Sequence, residues 1–174
     1  KGWVVMTDKP SSEIETTLDN VVFYEDLIGD KPETYDWPVV DEKTAAYAGY
    51  TTGTTGRPKG VYYSHRSIYL HTMGRLAALG ATFSDTVMPI TPMFHVLSWG
   101  FPQNAVAAGA KLVLPGKFAA EEFGAIAQAF IAEKVTLANG APAIFAPMLQ
   151  MMKNMPEPPD LSGVRLVSGS SEPP

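Results

Sequence analysis

Cysteine is absent from the 174-residue chain. That excludes disulfides and thiolate metal sites, and it is compatible with a reducing compartment. Histidine is scarce, and His65, His71 and His95 are too scattered to read as a zinc site. Lysine and arginine form no cluster beyond isolated pairs, and the net charge is −5. A nucleic-acid surface needs a concentrated basic patch to displace counterions, so nucleic acid is not an expected partner. Nucleotide binding stays open, because a few backbone N–H groups and one lysine hold a phosphate chain. No apolar run approaches the ~18 residues needed to cross a bilayer, so no transmembrane segment is expected. The run Trp3-Val4-Val5-Met6 meets Asp8 and Lys9 at once, which does not read as a signal peptide. A cytoplasmic location follows as the expectation. The first residue is lysine rather than methionine, which points to an excised piece.

Hydrophobic residues make up 45% of the chain and charged residues 18%, the composition of a folded globular domain. The length fits one domain with a sizeable core. Trp3 to Met6 reads as a strand, residues 7–20 as a loop, and Val21 to Ile28 as a short helix ended by Gly29. Residues 30–43 form a second, acidic connection. Ala45 to Tyr50 reads as a strand entering a Gly/Thr-rich loop, with Val61 to Tyr63 pairing back as its hairpin partner. Ser64 is positioned to cap a helix reaching about Leu79, with Tyr69, Met73, Leu76 and Ala77 on one face.

From there strands and helices alternate. Strands are expected over Thr86–Ile90, Lys111–Leu114, Val135–Ala138 and Val164–Val167. Helices are expected between Ser98 and Ala108, ended by Gly109, then around Phe123, Ile126, Ala127, Phe130 and Ile131, and over Ala143–Met152. Intervals of roughly 25–30 residues are those of βαβ units. The fold class is therefore α/β, a three-layer α/β/α arrangement with a mostly parallel sheet and helices on both faces. Ligands in such sheets bind outside the carboxyl ends of the strands, which draws attention to the segments after Ile90 and after Val167.

The most informative segment is Tyr50-Thr51-Thr52-Gly53-Thr54-Thr55-Gly56-Arg57-Pro58-Lys59-Gly60-Val61. Its glycines permit positive φ and close approach to an anion. Its four threonine hydroxyls add donors, and Lys59 adds a point charge suited to phosphate. The spacing is neither the P-loop G-x-x-x-x-G-K-[ST] nor G-x-G-x-x-G. On composition it reads either as a phosphate cradle or as a flexible Gly/Thr hairpin turn with a solvated lysine. A second segment, Pro92-Met93-Phe94-His95-Val96-Leu97-Ser98-Trp99-Gly100, follows a strand. His95 there is either a hydrogen-bonded core histidine or a group facing a ligand, and Trp99 either a core aromatic or a pocket wall. Asn139-Gly140-Ala141-Pro142 also follows a strand and is either an ordinary strand-to-helix connection or a ligand wall.

The twelve-residue run resembles the phosphate-binding signature of the adenylate-forming superfamily, whose members include acyl-CoA synthetases. The Pro-Met-Phe-His segment resembles that of fatty-acyl-CoA synthetases. The resemblance covers nearly all of the chain and implies one subdomain of the large adenylate-forming domain, with residues 1–44 as a connecting region and 45–174 as the ATP- and acyl-binding core. By resemblance Thr51, Thr52, Gly53, Thr54, Thr55, Gly56 and Lys59 hold the β- and γ-phosphates of ATP, and Thr51 helps hold Mg²⁺. His95 and Lys59 are the catalytic candidates. His95 lies beside adenylate and substrate carboxylate, where a donating imidazole offsets the repulsion between a carboxylate and an α-phosphate. Trp99 gates the acyl tunnel, and Gly140 and Ala141 line the acyl pocket. Gly169, Ser170 and Ser171 match the turn that packs on adenine.

The resemblance implies an ATP-dependent acid–thiol ligase that activates a medium- or long-chain fatty acid and passes it to CoA. Its small-molecule partners are fatty acid, ATP and CoA, and association into a homodimer is compatible with it. The His95 segment holds no acidic residue to pair with an amino-acid ammonium, which favours a fatty or aryl acid over an amino acid. The Tyr-Gly-x-Thr-Glu segment with its metal glutamate, the ribose aspartate and the small C-terminal domain with its lysine are not found in the chain. The alternatives are that the isolated piece is a nucleotide- or phosphate-binding module only, or that the parent adenylates an aryl or amino acid.

Overall fold

The computed structural model describes residues 2–7, 9–51, 56–95, 98–116 and 123–169, without the side chain of Thr51. The chain forms two compact units, Lys1–Val40 and Asp41–Pro174.

In the first unit β1 (Trp3–Val5) pairs in parallel with β2 (Val21–Phe23), Trp3 opposite Val21. A 3₁₀ turn over Ser11–Glu13 lies between them. Helix α1 covers Tyr24–Ile28 and no more. The helix expected over Val21–Ile28 is therefore corrected to a strand followed by one helical turn. Val21 and Val22 are β-branched, and pairing with a strand distant in sequence outweighs their local helical spacing.

The second unit begins with an antiparallel hairpin of β3 (Ala45–Thr51) and β4 (Lys59–Ser64). Helix α2 (His65–Leu79) follows directly. The Ser64 hydroxyl accepts the Ser67 N–H at 3.2 Å, and Gly80 closes the helix at φ +59. The inward face differs from the expected one. Tyr69 is 63% exposed and Ala77 is also exposed, whereas Thr72 is buried. Thr72 tolerates burial because its hydroxyl donates to the Ile68 carbonyl at 2.9 Å.

The remaining elements are β5 (Thr86–Pro89), α3 (Phe101–Ala108), β6 (Lys111–Leu112), α4 (Phe123–Ala132), β7 (Leu137–Gly140), α5 (Pro142–Lys153) and β8 (Arg165–Ser168). The four strands form one parallel sheet in the order β6-β5-β7-β8. Val87 and Leu137 pack with Phe101 and Ala105 of α3. Met88 and Ala138 point the other way, into Ile126, Ala127 and Phe130 of α4 and Phe145, Met148 and Met152 of α5. The sheet is thus covered on both faces, as the alternating pattern requires. Strand β7 begins two residues later than the sequence suggests. Lys134 takes φ +53 just before it, and pairing of Met88 with Ala138 sets its register.

This strand order has a direct consequence for ligand binding. The chain runs from β5 outward to β6 over α3, then returns over α4 to β7 on the other side of β5. The reversal falls between β5 and β7, and the crevice of a doubly wound sheet opens at the carboxyl ends of such a pair.

Candidate functional site

Three segments converge on that end of the sheet. The His95 segment leaves β5, the Asn139-Gly140-Ala141 turn leaves β7, and the hairpin approaches through Trp99. Ile90 continues the pairing, its N–H donating to the Asn139 carbonyl at 3.1 Å. The two turns therefore emerge side by side.

Thr51 is the last residue of β3 and Lys59 the first of β4, and they are cross-strand partners. The hairpin thus brings a candidate metal-side residue and the candidate phosphate lysine to the two stems of one loop. Thr52, Gly53, Thr54 and Thr55 lie outside the described residues. Gly56 takes φ +92, a conformation that side chains resist, with open space where a Cβ would stand. Lys59 is exposed and forms no ion pair with a described residue. An exposed cation beside a positive-φ glycine suits an anion with several oxygens.

His95 sits in a tight turn. Its N–H donates to the Pro92 carbonyl at 2.9 Å, and its own carbonyl accepts from Ser98 and Trp99 at 3.0 and 3.1 Å. The turn sets His95 and Phe94 outward, with Phe94 84% exposed. Trp99 is half-buried. Its indole lies 4.9 Å from the Tyr63 ring, 6.3 Å from Tyr47 and 4.3 Å from the His71 imidazole, centre to centre. Tyr47, Gly49, Val61 and Tyr63 share the hairpin face turned towards it, because strand side chains alternate. With Trp99, Phe94, Ala48 and Tyr50 they line an open pocket of about 400 Å³. Gly49 keeps the floor of this pocket low, since a Cβ there would meet the Tyr47 ring at 3.2 Å.

Gly140 is buried, and a Cβ on it would stand 3.0 Å from the Phe145 ring. Ala141 caps α5 in extended conformation, its carbonyl accepting from Ile144 and Phe145 at 2.9 and 3.1 Å. Gly169 follows β8 immediately, one strand further from β5. Ser170 and Ser171 lie outside the described residues. Lys59, His95, Trp99, Gly140 and Ala141 are thus distributed over the hairpin and the β5 and β7 turns that face the crevice.

Sequence reasoning missed Tyr47, Gly49, Tyr63 and His71. The first three were legible in principle from period-two alternation through the hairpin. His71 carries no local signal, because only the packing of α2 on the turn before α3 brings it to Trp99. Burial, and then the charge of Arg75 one helical turn on, hold the His71 pKa below its ordinary value of 6.5. The described residues contain no group of three or more histidine or carboxylate side chains arranged to hold a metal. Mg²⁺ prefers one or two carboxylates together with nucleotide phosphates, so it fits this chain only as the companion of those phosphates.

The chain matches the AMP-binding enzyme family over residues 4–174. It is 42% identical over 151 residues to the medium-chain-fatty-acid–CoA ligase of Ectopseudomonas oleovorans, covering 86% of this chain and 27% of that protein. It is 40% identical over 151 residues to the 3-methylmercaptopropionyl-CoA ligase of Ruegeria lacuscaerulensis, covering 86% and 28%. Among solved structures, the AMP complex of O-succinylbenzoate coenzyme A synthetase from Bacillus subtilis superposes with TM-score 0.74 at 22% identity, over 98% of this chain and 34% of that one. The long-chain-fatty-acid–CoA ligase of Archaeoglobus fulgidus superposes with TM-score 0.71 at 22% identity, over 90% and 32%. These two likenesses establish the fold. The chain spans about a quarter to three-tenths of the length of the curated relatives it matches. With the family matched almost end to end, and the same α/β layers in its solved neighbours, the chain belongs to the AMP-binding enzymes.

Proposed function

We propose that the chain is the phosphate-loop and acyl-side part of an ATP-dependent acid–CoA ligase that activates a medium- or long-chain fatty acid. The observation that carries this reading is the aromatic pocket of Trp99, Tyr47, Tyr63 and Phe94, set between the phosphate hairpin and the His95 turn. A largely apolar pocket beside the hairpin that carries Lys59 suits an acid whose tail must be held while its carboxylate is presented to a nucleotide.

The reaction has two halves. A carboxylate oxygen attacks the α-phosphorus of ATP, and the bond to the bridging oxygen breaks to release pyrophosphate. The thiol of CoA then attacks the acyl carbonyl and AMP leaves. Lys59 and the loop amides would hold the β- and γ-phosphates and receive the charge of the departing pyrophosphate. His95 would donate to oxygens at the junction of acid and α-phosphate, lowering their mutual repulsion. Trp99, with Gly140 and Ala141 across the crevice, would direct the acid's tail and exclude water. Gly169 would back the adenine. Mg²⁺ bound with the nucleotide disperses phosphate charge.

The test is pyrophosphate exchange by the full-length enzyme over a panel of acids. Exchange with octanoate-like acids but not with amino acids supports the reading, and preference for amino acids ends it. The 174 residues alone are expected to bind nucleotide weakly without turnover, so robust exchange by them would end that part.

One observation favours a second reading for the acid. The pocket walls are rings, and thioether sulfur gains about 0.3–1.5 kcal/mol against aromatic edges. Together with the likeness to 3-methylmercaptopropionyl-CoA ligases, this puts short thioether acids on the same panel.

A further inference from the structure

Trp99, Gly100 and Phe101 are matched one by one to side chains of α2. The His71 imidazole lies against the Trp99 indole at 4.3 Å between ring centres, tilted by 38°. Gly100 stands at φ +91, where a Cβ would come within 2.6 Å of His71 Cε1 and 3.1 Å of Arg75 Cδ. The Arg75 guanidinium lies over the Phe101 ring at 4.8 Å. His71 and Arg75 are four residues apart on the helix and therefore share a face. Arg75 Nε is buried without a hydrogen-bond partner among the described residues. The indole also lies against Tyr63 and Tyr47 of the hairpin, at 4.9 and 6.3 Å between ring centres.

We propose that His71 is a positioning residue for Trp99, clamping the indole against the hairpin so that the pocket wall is set from α2, with Arg75 governing when the clamp releases. The proposal rests on the acyl-side reading only in naming what the wall faces. The missing Cβ of Gly100 is what admits the imidazole to the stack. Any side chain there would push His71 away from the indole.

Among the described residues, Arg75 of its own helix is the charge that acts on His71. Tyr47 and Tyr63 of the hairpin lie against the same indole, and Ser98, Trp99, Gly100 and Phe101 carry no ionisable group. His71 forms no ion pair with a described carboxylate. An imidazolium over an indole gains about 0.5–1 kcal/mol at exposed sites. Burial and then Arg75 lower the His71 pKa, which favours the neutral ring against the indole. Protonation puts a second cation beside Arg75 and loosens the stack.

The experiment uses the full 174-residue chain with Trp3 and Trp37 replaced by Phe, which leaves Trp99 as the single indole of the three. Its emission is followed between about pH 8 and pH 4, beside far-UV circular dichroism to register unfolding. The expected result is one transition with a midpoint below 6.5, red-shifted on the acid side. Arg75→Met should move that midpoint up towards 6.5, and His71→Phe, which keeps a ring but cannot titrate, should abolish it. His71→Ala should be red-shifted at every pH. If His71→Ala fails to fold, the other two variants still decide. Flat emission in the parent chain, a transition that survives His71→Phe, or a midpoint that ignores Arg75→Met overturns the proposal. The readout is the indole rather than a substrate, so its failure is separable from failure of the acyl reading.

Discussion

Arg165 on β8 donates to Asp85, just before β5, at 2.5 Å, and the pair lies at the opposite end of the sheet from the candidate site. Asp85 also accepts from the Thr136 hydroxyl at 2.7 Å and the Thr82 N–H at 2.8 Å. Arg165 reaches on to the Leu79 and Gly80 carbonyls at the end of α2, at 2.5 and 3.2 Å. The carboxylate thus joins the starts of β5, β7 and β8, and Arg165 ties them to the end of α2. Burial would raise the Asp85 pKa, but the bonds from Thr136, Arg165 and Thr82 outweigh it and hold it at about 2, against 3.8 ordinarily.

A carboxylate depressed in this way stabilises the fold above its unfolded pKa, and the contribution is lost as pH falls from about 4 through about 2. Asp85→Asn is therefore expected to cost on the order of 2 kcal/mol near neutral pH and almost nothing near pH 2. Urea unfolding of both chains at the two pH values measures it. A pH-independent difference would remove the linkage.

Gly56 and Gly100 provide a matched pair. Their φ values are +92 and +91, yet a Cβ on Gly56 meets nothing while one on Gly100 meets His71. Alanine at either position carries backbone strain on the order of 1–3 kcal/mol. Gly100→Ala should cost at least about 1 kcal/mol more than Gly56→Ala, because it alone adds a steric clash. Equal losses in thermal unfolding would mean that His71 yields freely.

Lys59→Ala should weaken nucleoside triphosphate binding by about tenfold or more, as expected for loss of one charge-assisted phosphate contact. Calorimetric titration of the full-length enzyme with ATP reads this directly. Lys59→Arg should recover part of the loss. Unchanged affinity in the alanine variant removes Lys59 from the site.

The aromatic pocket predicts opposite selectivity shifts from its wall and its floor. Trp99→Ala enlarges the chamber and should raise activity on longer acids relative to shorter ones in the full-length enzyme. Gly49→Val fills the floor and should do the reverse. Parallel losses on all acids from both variants would mean that the pocket does not hold the tail.

Much of this was legible before any coordinates. The Ser64 cap, the hairpin strands around the Gly/Thr run and the alternation of strands with helices follow from local chemistry. What failed had non-local causes. Val21–Phe23 is a strand because β1 lies beside it, not because of its own spacing. The inward face of α2 turns on Thr72, a polar residue whose hydroxyl is satisfied within the helix and which hydrophobic patterning passes over. At the site, sequence named the residues of the two recognisable runs, but not the rings that stand around Trp99. Tyr47 and Tyr63 acquire meaning only through strand pairing, and His71 only through helix packing.

The pairing of Thr51 with Lys59 also bears on how the hairpin tolerates change. The stems are held by a ladder that runs from Ala45 opposite Ser64 to Thr51 opposite Lys59. A one-residue slip within the ladder would turn Lys59 to the opposite face. Substitutions that weaken this ladder are thus expected to misplace Lys59 without touching it.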